Sequence, residues 1–445
     1  MTKRVLIITY YWPPAGGAGV QRWLKFVKYL PQFGWEPVVY TAQDGEYPVL
    51  DHSLEKEVPE GTEVIRKKII EPYSWYKKFI GQKPEEKINA GFLSQSEKPA
   101  GKEKLARWIR GNLFIPDARR FWIRPSVRFL SKYLKDHPVD IMVSTGPPHS
   151  MHLIALGIKK KLDIPWIADF RDPWTKIDFY KELHLSRWAD RKHHLLEKKS
   201  VQTADMIVAV TRHMQKDFEK LGARQPVYLP NGFDPEDIPA EYPVPEKGDK
   251  FRIVYVGTLN RPRNPEILWE TVAEMIEEDP LFATDLEIDL VGKTDIIVDK
   301  AIKQYRLSSY VNKKDYLPHH EIFGIQKEAA VLLLLINRAP DARGIVTGKI
   351  FEYLTAGRPI LALGPPDGEA AMILNQTGTG TTVDYDDKKR LKKVITEFYH
   401  LHKAGKLFVT PEHIENFSRV NLTKQLVGLF EKAVGQKSGD KNVGP

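Results

Sequence analysis

Residues 4–42 read RVLIITYYWPPAGGAGVQRWLKFVKYLPQFGWEPVVYTA. The apolar, β-branched run at residues 4–11 predicts a buried strand. Apolar side chains then recur at helical spacing from Val20 to Leu30, and Gly34 ends this pattern before a second apolar run at residues 37–42. A glycine-rich turn at residues 16–19 lies between the first strand and the helix. The stretch therefore predicts a βαβ unit with two parallel strands.

The same alternation continues along the chain. The pattern predicts further strands at residues 139–145, 165–170, 204–211 and 227–230, with helices at 149–162 and 186–200. It starts again with strands at 251–257, 286–291, 330–336 and 359–363, and with helices at 265–278 and 349–356. This order predicts an α/β protein with two doubly wound, Rossmann-like domains that face a central cleft.

The domain boundary is predicted from composition. Residues 233–250, FDPEDIPAEYPVPEKGDK, are rich in proline and charge and have no periodicity. We expect an N-terminal domain at 1–232, a linker at 233–250, a C-terminal domain at 251–410, and a helix at 411–435 that packs back toward the N-terminal domain. Residues 436–445 are expected to be a flexible tail.

Residues 72–135 interrupt the alternation and are predicted to form a basic, aromatic insertion. Trp75, Trp108 and Trp122 lie there among many lysines and arginines, and residues 82–104 have the composition of a mobile segment. Apolar side chains with flanking cations suit an anionic membrane surface. The alternative is that these aromatic residues pack into the N-terminal domain and that the cations are only solvated.

Composition restricts the function further. The chain has 445 residues, a net charge of +9, no cysteine, 42% hydrophobic and 28% charged residues. These values exclude a disulfide framework and a cysteine metal site, and the basic balance favours anionic partners. The longest apolar run, residues 329–336, is far shorter than the roughly 20 residues that span a bilayer. We expect a cytoplasmic protein, with peripheral attachment to the inner face of the cytoplasmic membrane as a candidate.

A predicted anion site lies in residues 343–357, RGIVTGKIFEYLTAG. Gly348 precedes a helix, and Lys349 lies in the first turn of this helix, where a cation is unfavourable unless an anion binds there. Glu352 follows on the same helix face. This pair suits a nucleotide, with the lysine on the phosphates and the glutamate on the ribose hydroxyls. The alternative is a salt bridge within the helix.

Two loops could complete such a site. In the loop 257–265, GTLNRPRNP, Arg263 lies near a helix start, where its guanidinium can bind a phosphate; a solvated arginine is the alternative. In the turn at residues 16–19, Gly17 and Gly19 allow backbone N–H groups to approach a diphosphate or a sugar. A tight turn that requires positive φ is the alternative for these glycines.

Polar residues also follow two strands of the first domain. Asp169 and Arg171 belong to DFRDPW at residues 169–174, and we expect Asp169 to point into the cleft. An Arg–Asp pair that shapes the loop is the alternative for Arg171. His149 ends the loop STGPPH at 144–149 and could cap the following helix or meet a substrate hydroxyl.

No metal site is predicted. Residues 384–387, DYDD, resemble an acidic metal–nucleotide motif, but a helix cap is the favoured interpretation. The histidine pairs at 193–194 and 319–320 lack the spacing that places two ligands on one helix face.

Five segments together resemble a known family: GGAGV at 16–20, ADMIVAVT at 204–211, NGFD at 231–234, YVGT at 255–258 and GKIFEYLTAGRPI at 348–360. Their order and spacing are similar to those of GT-B fold glycosyltransferases of family 4. The chain departs from the family's pattern at three positions. Gly344 replaces the first of two glutamates of which Glu352 is the second, Asn264 replaces a phosphate-loop lysine, and Asp169 stands where many members have a histidine that faces the sugar.

The resemblance implies a nucleotide-sugar donor, a glycan or lipid-linked acceptor, retention at the anomeric carbon, and neither a metal nor another cofactor. It implies a role in the synthesis of surface polysaccharides or glycoconjugates. The N-terminal domain would be the acceptor side and the C-terminal domain would bind the nucleotide sugar. The implied site residues are Asp169, Arg263 and Lys349 for catalysis; Gly17, Gly19, Thr258, Arg263, Gly348, Lys349 and Glu352 for the donor; and His149 and Arg171 for the acceptor.

Two other functions remain open from sequence. A nucleotide-sugar epimerase can have the same two-domain architecture, and it would act on the donor without an acceptor. A nucleic-acid binder would fit the positive charge, but the sequence contains no recognisable reader motif, so we expect no nucleic-acid partner.

Overall fold

The computed structural model describes residues 2–71, 108–109, 111–178, 180–238, 250–315, 317 and 319–441. These residues form two compact units. The first domain contains the described residues up to Asn231 together with those from Arg419 onward. The second domain runs from Gly232 to Ser418.

The first domain is built on a seven-stranded sheet of order β3-β2-β1-β4-β5-β6-β7, in which every pairing is parallel. The strands are β1 (Lys3–Ile8), β2 (Trp35–Ala42), β3 (Glu63–Lys67), β4 (Ile141–Gly146), β5 (Trp166–Phe170), β6 (Met206–Ala209) and β7 (Pro226–Tyr228). The helices are α1 (Ala18–Tyr29), α2 (Arg120–Asp136), α3 (Ser150–Leu162), α4 (Arg187–Thr203), α5 (Arg212–Lys220) and, much later in the chain, α13 (Arg419–Lys441).

Helices cover both faces of this sheet, because side chains alternate along each buried strand. Leu6 and Ile8 point to the face that packs against α2, α3, α4 and α5. Val5 and Ile7 point to the opposite face, which α1 and α13 cover. Both faces are therefore closed to water, and the polar loops at the carboxyl ends of the strands are left for function.

The segment predicted as a basic insertion differs from expectation in its last part. Residues 120–135 belong to α2, which packs into the core through Trp122, 2% exposed, and Leu130. Most of the remaining segment lies outside the described residues, including Trp75, residues 76–80 and residues 104–107. The C-terminal helix α13 continues to Lys441 and so extends into the segment that was predicted as a tail.

The second domain is a six-stranded parallel sheet of order β10-β9-β8-β11-β12-β13. Its strands are β8 (Phe251–Val256), β9 (Leu286–Val291), β10 (Val311–Lys314), β11 (Val331–Leu335), β12 (Ile360–Leu363) and β13 (Gly380–Val383). Its helices are α6 (Glu266–Glu278), α7 (Pro280–Asp285), α8 (Ile296–Gln304), α9 (His319–Glu328), α10 (Lys349–Tyr353), α11 (Glu369–Thr377) and α12 (Lys388–Lys403).

The predicted fold class, two α/β domains with parallel sheets, is confirmed. The sequence pattern missed β3, β10 and β13, and each of these is an edge strand of its sheet. An edge strand is only partly covered, so its sequence needs no continuous apolar run. β10, for example, is VNKK, and its last three residues are exposed.

Candidate functional site

Two glycines shape the chain at the carboxyl ends of β8 and β9. Gly257 and Gly292 follow these strands directly and have φ angles of 118° and 120°, a region that L side chains rarely adopt. A Cβ atom on Gly292 would lie 2.8 Å from the carbonyl oxygen of Gly257. The loop after β9 can therefore approach the loop after β8 this closely because residue 292 is glycine.

Lys349 uses the space beside Gly257. A Cβ atom on Gly257 would lie 2.4 Å from Cε and 2.6 Å from Nζ of Lys349. The Nζ atom donates a 2.8 Å hydrogen bond to the hydroxyl oxygen of Tyr255, and this hydroxyl donates a 2.9 Å bond to the carbonyl of Thr258. The first residue of α10 is thus fixed against the end of β8.

Arg263 brings a second cation to the same loop. Its Nε atom donates a 2.6 Å hydrogen bond to Oδ1 of Asn337, and Nη1 lies 3.4 Å from the carbonyl oxygen of Thr258, the oxygen that also accepts from Tyr255. Burial and then the nearby Arg263 lower the pKa of Lys349 to about 7, although Glu352 opposes this shift. Two cations beside each other in a largely buried place form a site that an anion would stabilise.

The other predicted donor residues have different surroundings. Glu352 lies one turn after Lys349 in α10 and is half-buried. Gly348 is exposed and has a helical φ of −57°, so neither space nor backbone conformation requires glycine there. The hydroxyl oxygen of Thr347 is buried and has no hydrogen-bond partner within the described part of the chain. The sequence did not predict Tyr255 and Asn337 as contacts of Lys349 and Arg263, because neither side chain is charged and neither lies in a pattern that predicts an anion site.

The acidic segment at 384–387 is occupied by protein contacts. The Asp387 side chain caps α12 by accepting a 2.9 Å bond from the backbone N–H of Arg390. Asp386 pairs with Arg338 at 2.6 Å, and Asp384 accepts from the Asp386 backbone. The helix-cap interpretation therefore describes this segment.

In the first domain, Asp169 lies within β5 and is 1% exposed. Its carboxylate pairs with the guanidinium of Arg22 at 2.9 Å and accepts 2.7 Å and 2.8 Å bonds from the Trp23 indole and the Thr145 hydroxyl. Burial alone would raise the pKa of Asp169, but the Arg22 charge and these hydrogen bonds hold it below its usual value. The carboxylate is therefore ionised and surrounded by protein donors.

Arg22 extends this network to the end of the sheet. It lies in α1 and donates to the carbonyl oxygens of Leu229 and Pro230 at 3.0 Å and 2.7 Å. The Arg22–Asp169 pair thus connects α1, β5 and the chain after β7. This geometry favours a positioning role for Asp169 over direct contact with a sugar.

Arg171 joins two of the predicted loops. Its guanidinium donates to the carbonyl oxygens of Gly19, in the glycine turn, and Pro147, in the loop at 144–149. A Cβ atom on Gly19 would lie 3.1 Å from the Tyr11 ring, and Gly17 has a φ of 85°. Close approach and positive φ therefore account for these glycines locally, and Arg171 shapes the loops.

His149 stacks on Trp174, with ring centres 4.6 Å apart and planes at 3°. His149 is at the N-cap position of α3, but its side chain makes no capping bond; the Asp117 carboxylate instead accepts a 2.9 Å bond from the backbone N–H of Ser150. The Nδ1 atom of His149 is buried without a hydrogen-bond partner in the described residues. Burial lowers the pKa of His149 well below its usual value, and nearby His152 adds to this shift. His149 is thus a neutral imidazole that could exchange hydrogen bonds with a substrate hydroxyl.

Comparison with known proteins relates part of this sequence to a family. The sequence model of Glycosyltransferase Family 4 matches residues 91–237, which include β4, β5 and β6 and therefore the loops that carry His149, Asp169 and Arg171. The chain has the GT-B fold, and its first domain matches glycosyltransferase family 4. The resemblance predicted from sequence is confirmed.

Solved structures of similar GT-B proteins cover nearly the whole chain. Sucrose-phosphate synthase from Thermosynechococcus elongatus is 15% identical, with a TM-score of 0.58 over 99% of this chain and 98% of that one. Anabaena Alr3699/HepE, solved in complex with UDP-glucose, is 14% identical, with a TM-score of 0.57 over 96% and 99%.

A third similar structure is described as a UDP-N-acetylglucosamine 2-epimerase from Listeria monocytogenes. It is 11% identical, with a TM-score of 0.52 over 98% of each chain. At these identities the three structures show the shared fold. No curated protein matches the chain in sequence. Within the described residues, no helix has the length and apolar character needed to cross a membrane.

Proposed function

We propose that this protein transfers a sugar from a nucleotide-sugar donor to a glycan or lipid-linked acceptor. The observation that carries the proposal is the pair of cations at the end of β8, Lys349 and Arg263, beside Gly257. The family 4 match of the first domain and the UDP-glucose bound to the similar HepE protein support it.

In the proposed complex the second domain holds the nucleotide. Lys349 and Arg263 bind the diphosphate, because two adjacent cations match its charge. Glu352 accepts hydrogen bonds from the ribose hydroxyls, and the Thr347 hydroxyl, which is buried without a partner in the described chain, supplies a further polar contact. The backbone of Thr258 is held at this site, because its carbonyl oxygen accepts a hydrogen bond from the Tyr255 hydroxyl and lies 3.4 Å from Nη1 of Arg263.

The proposed reaction breaks the bond between the anomeric carbon and the diphosphate oxygen. The main barrier is the separation of this diphosphate from a sugar with oxocarbenium character, so Lys349 and Arg263 act by stabilising the departing charge. The acceptor hydroxyl oxygen then bonds to the anomeric carbon, and its proton passes to the diphosphate. The new bond forms on the face that the diphosphate leaves, which retains the configuration.

We propose that the reaction needs no metal, since the two cations can neutralise the leaving group and the acidic segment at 384–387 is engaged as a helix cap and an ion pair. On the acceptor side, His149 is the first candidate for a contact with the attacking hydroxyl. Arg171 positions the loop that carries His149, and Asp169, through its pair with Arg22, positions strand β5. Surface polysaccharide or glycoconjugate synthesis is the proposed context.

Isothermal calorimetry with a panel of nucleoside diphosphates tests the donor site. We expect Glu352→Ala to weaken binding by about 1–3 kcal/mol, the cost of losing hydrogen bonds to a charged group. Lys349→Ala should weaken it as well. Lys389→Ala, at an exposed lysine of α12, is the matched control and should bind as the wild type does. Unchanged affinity in both site variants would refute the assignment.

The epimerase alternative is supported by the fold shared with the Listeria protein. An epimerase would change the donor sugar in the absence of any acceptor. Incubation of the protein with nucleotide sugars alone, followed by separation of the products, distinguishes the two functions. Release of an epimeric nucleotide sugar would overturn the transferase proposal.

A further inference from the structure

Helix α4 separates its charges by side. Its 17 residues, RWADRKHHLLEKKSVQT, contain five lysines or arginines and two carboxylates. The carboxylates are engaged with the protein: Glu197 is buried and accepts a 2.5 Å bond from the Thr175 hydroxyl, and Asp190 accepts a 3.1 Å bond from Tyr180. Four of the five cations are exposed, and Lys192 is half-buried.

Two large apolar side chains are exposed among these cations. Trp188 and Leu195 are 61% and 63% exposed, and they lie seven residues apart, hence on the same helix face. The Nζ atom of Lys192 lies 4.6 Å from the centre of the Trp188 ring. We refer to this face as the outer stripe of α4, which consists of Trp188, Arg191, Lys192, Leu195, Lys198 and Lys199.

Further exposed apolar residues lie around the start of α4. Asn112 joins the segment near Trp108 to this helix, since its Oδ1 accepts a 2.7 Å bond from the backbone N–H of Ser186 and its Nδ2 donates a 2.8 Å bond to the carbonyl of Trp108. Trp108 is 42% exposed and Leu113 is 53% exposed.

The start of α2 contributes to the same region. Arg120 donates to the carbonyl oxygen of Leu113, and its guanidinium lies 5.4 Å from the ring centre of Phe121, which is 50% exposed. The contacts thus tie the first turn of α2 and the first turn of α4 to one short segment. The result is a band of exposed aromatic and aliphatic side chains interleaved with cations.

We propose that the outer stripe of α4, with the adjoining Trp108, Leu113 and Phe121, docks the first domain on an anionic lipid bilayer. Lysine and arginine attract acidic headgroups, and tryptophan is favoured at the boundary between headgroups and acyl chains. A soluble polyanion would satisfy the cations but would leave Leu195 and Trp188 in water. The combination of the two residue types therefore selects a bilayer.

The docking band is connected to the acceptor side of the first domain. His149 stacks on Trp174, whose indole N–H donates a 3.1 Å bond to His193 of α4. The other ring nitrogen of His193 lies 3.4 Å from the carbonyl oxygen of Gly111, beside Asn112. Docking would therefore fix the orientation of the His149 loop relative to the lipid surface, where an acceptor carried by a lipid is presented.

Flotation of the full chain with vesicles tests this proposal. We expect binding to vesicles of phosphatidylcholine with phosphatidylglycerol, little binding to phosphatidylcholine alone, and a decrease with salt. Two double variants test the stripe: Trp188→Ser with Leu195→Ser, and Lys198→Gln with Lys199→Gln. Each should lower the vesicle partition coefficient by about tenfold.

Matched controls lie in the second domain. Phe408→Ser removes an apolar side chain that is 68% exposed, and Lys389→Gln with Arg390→Gln removes two exposed cations of α12. Both controls should bind vesicles as the wild type does. Melting temperature and nucleoside diphosphate affinity, measured on every variant, should not change, and they separate a failure of docking from a failure of the donor site.

Three results would overturn the proposal. The wild type does not bind anionic vesicles; the stripe variants bind as tightly as the wild type; or the apolar double variant binds normally while a single-stranded DNA competes with the vesicles. The last result would mean that the stripe is a general polyanion site.

Discussion

The Nζ atom of Lys349 lies 2.8 Å from the hydroxyl oxygen of Tyr255 and 4.3 Å from the centre of that ring. The lysine is thus held over an aromatic face and against the end of β8 before any ligand arrives. Burial and the Arg263 charge make its protonated form unfavourable in this place. A bound diphosphate would reverse that balance, and the first prediction follows from this change.

Binding of a nucleoside diphosphate should take up a proton near neutral pH. The free protein holds Lys349 at a pKa of about 7, and an anionic ligand raises it again. As the pH rises from 7.5 to 9 the affinity should fall, by about tenfold per unit at most, since one proton is linked. Calorimetry in buffers of different ionisation enthalpy measures the proton uptake directly.

Lys349→Met provides the control, because it removes the titrating group and should abolish the pH slope along with most of the affinity.

The wild-type protein without ligand should also become more stable as the pH rises above 7. Between the folded pKa of about 7 and the ordinary value of 10.5, the unfolded chain holds a proton that the folded chain has released. A wild-type affinity that is constant over this range would contradict the lowered pKa.

Gly257→Ala should disturb the donor site in two ways, by straining the backbone and by occupying the space of the Lys349 side chain. The φ of 118° is strained for alanine, and the added methyl group would lie 2.4 Å from Cε of Lys349. We expect a loss of about 1–3 kcal/mol in stability and a diphosphate affinity at least tenfold lower. Gly428→Ala, at an exposed position of α13, is the control, since nothing lies within 4 Å of the added atom and its φ is not positive. Equal affinities for the two variants would show that Lys349 does not depend on Gly257.

Asp169→Asn should unfold more easily, because it leaves the Arg22 guanidinium buried without its counter-charge. The expected loss is about 3–5 kcal/mol in the free energy of unfolding, measured by urea denaturation. Asp136→Asn, at an exposed position near the end of α2, should lose almost nothing.

The double variant Arg22→Met, Asp169→Asn separates pairing from catalysis. It should recover part of the lost stability, because it removes both charges of the buried pair. If Asp169→Asn instead keeps its stability and loses turnover with unchanged nucleotide affinity, the carboxylate contacts the reacting sugar, as its sequence position predicted.

His149→Phe should keep the stack on Trp174 and lose both ring nitrogens. If His149 contacts the acceptor hydroxyl, kcat should fall by about 10²-fold or more while nucleoside diphosphate affinity and melting temperature stay near wild type. Because burial keeps this imidazole neutral, its protonation should produce no step in the rate near pH 6.5. Normal turnover in His149→Phe would leave the histidine with a packing role only.

The periodicity of the sequence predicted the central strands and about half of the described helices, because buried parallel strands need continuous apolar runs and covering helices need one apolar face. β9 was predicted at its observed bounds, Leu286–Val291. The periodicity missed three of the four edge strands, β3, β10 and β13; in β10, for example, partial exposure removes the signal. It also assigned α2 to an insertion, since the arginines on its outer face obscured the apolar face that contains Trp122 and Leu130.

The sequence by itself determined the two α/β domains, the glycine turns and the presence of charged residues at or just after the ends of strands. Only the tertiary structure decided what those charges do. It showed that Asp169 is paired with Arg22, from a helix 147 residues away in the chain, and that Lys349 lies against Tyr255, 94 residues away. Such contacts leave no local pattern, because burial, pairing and pKa depend on which distant side chains the fold brings together.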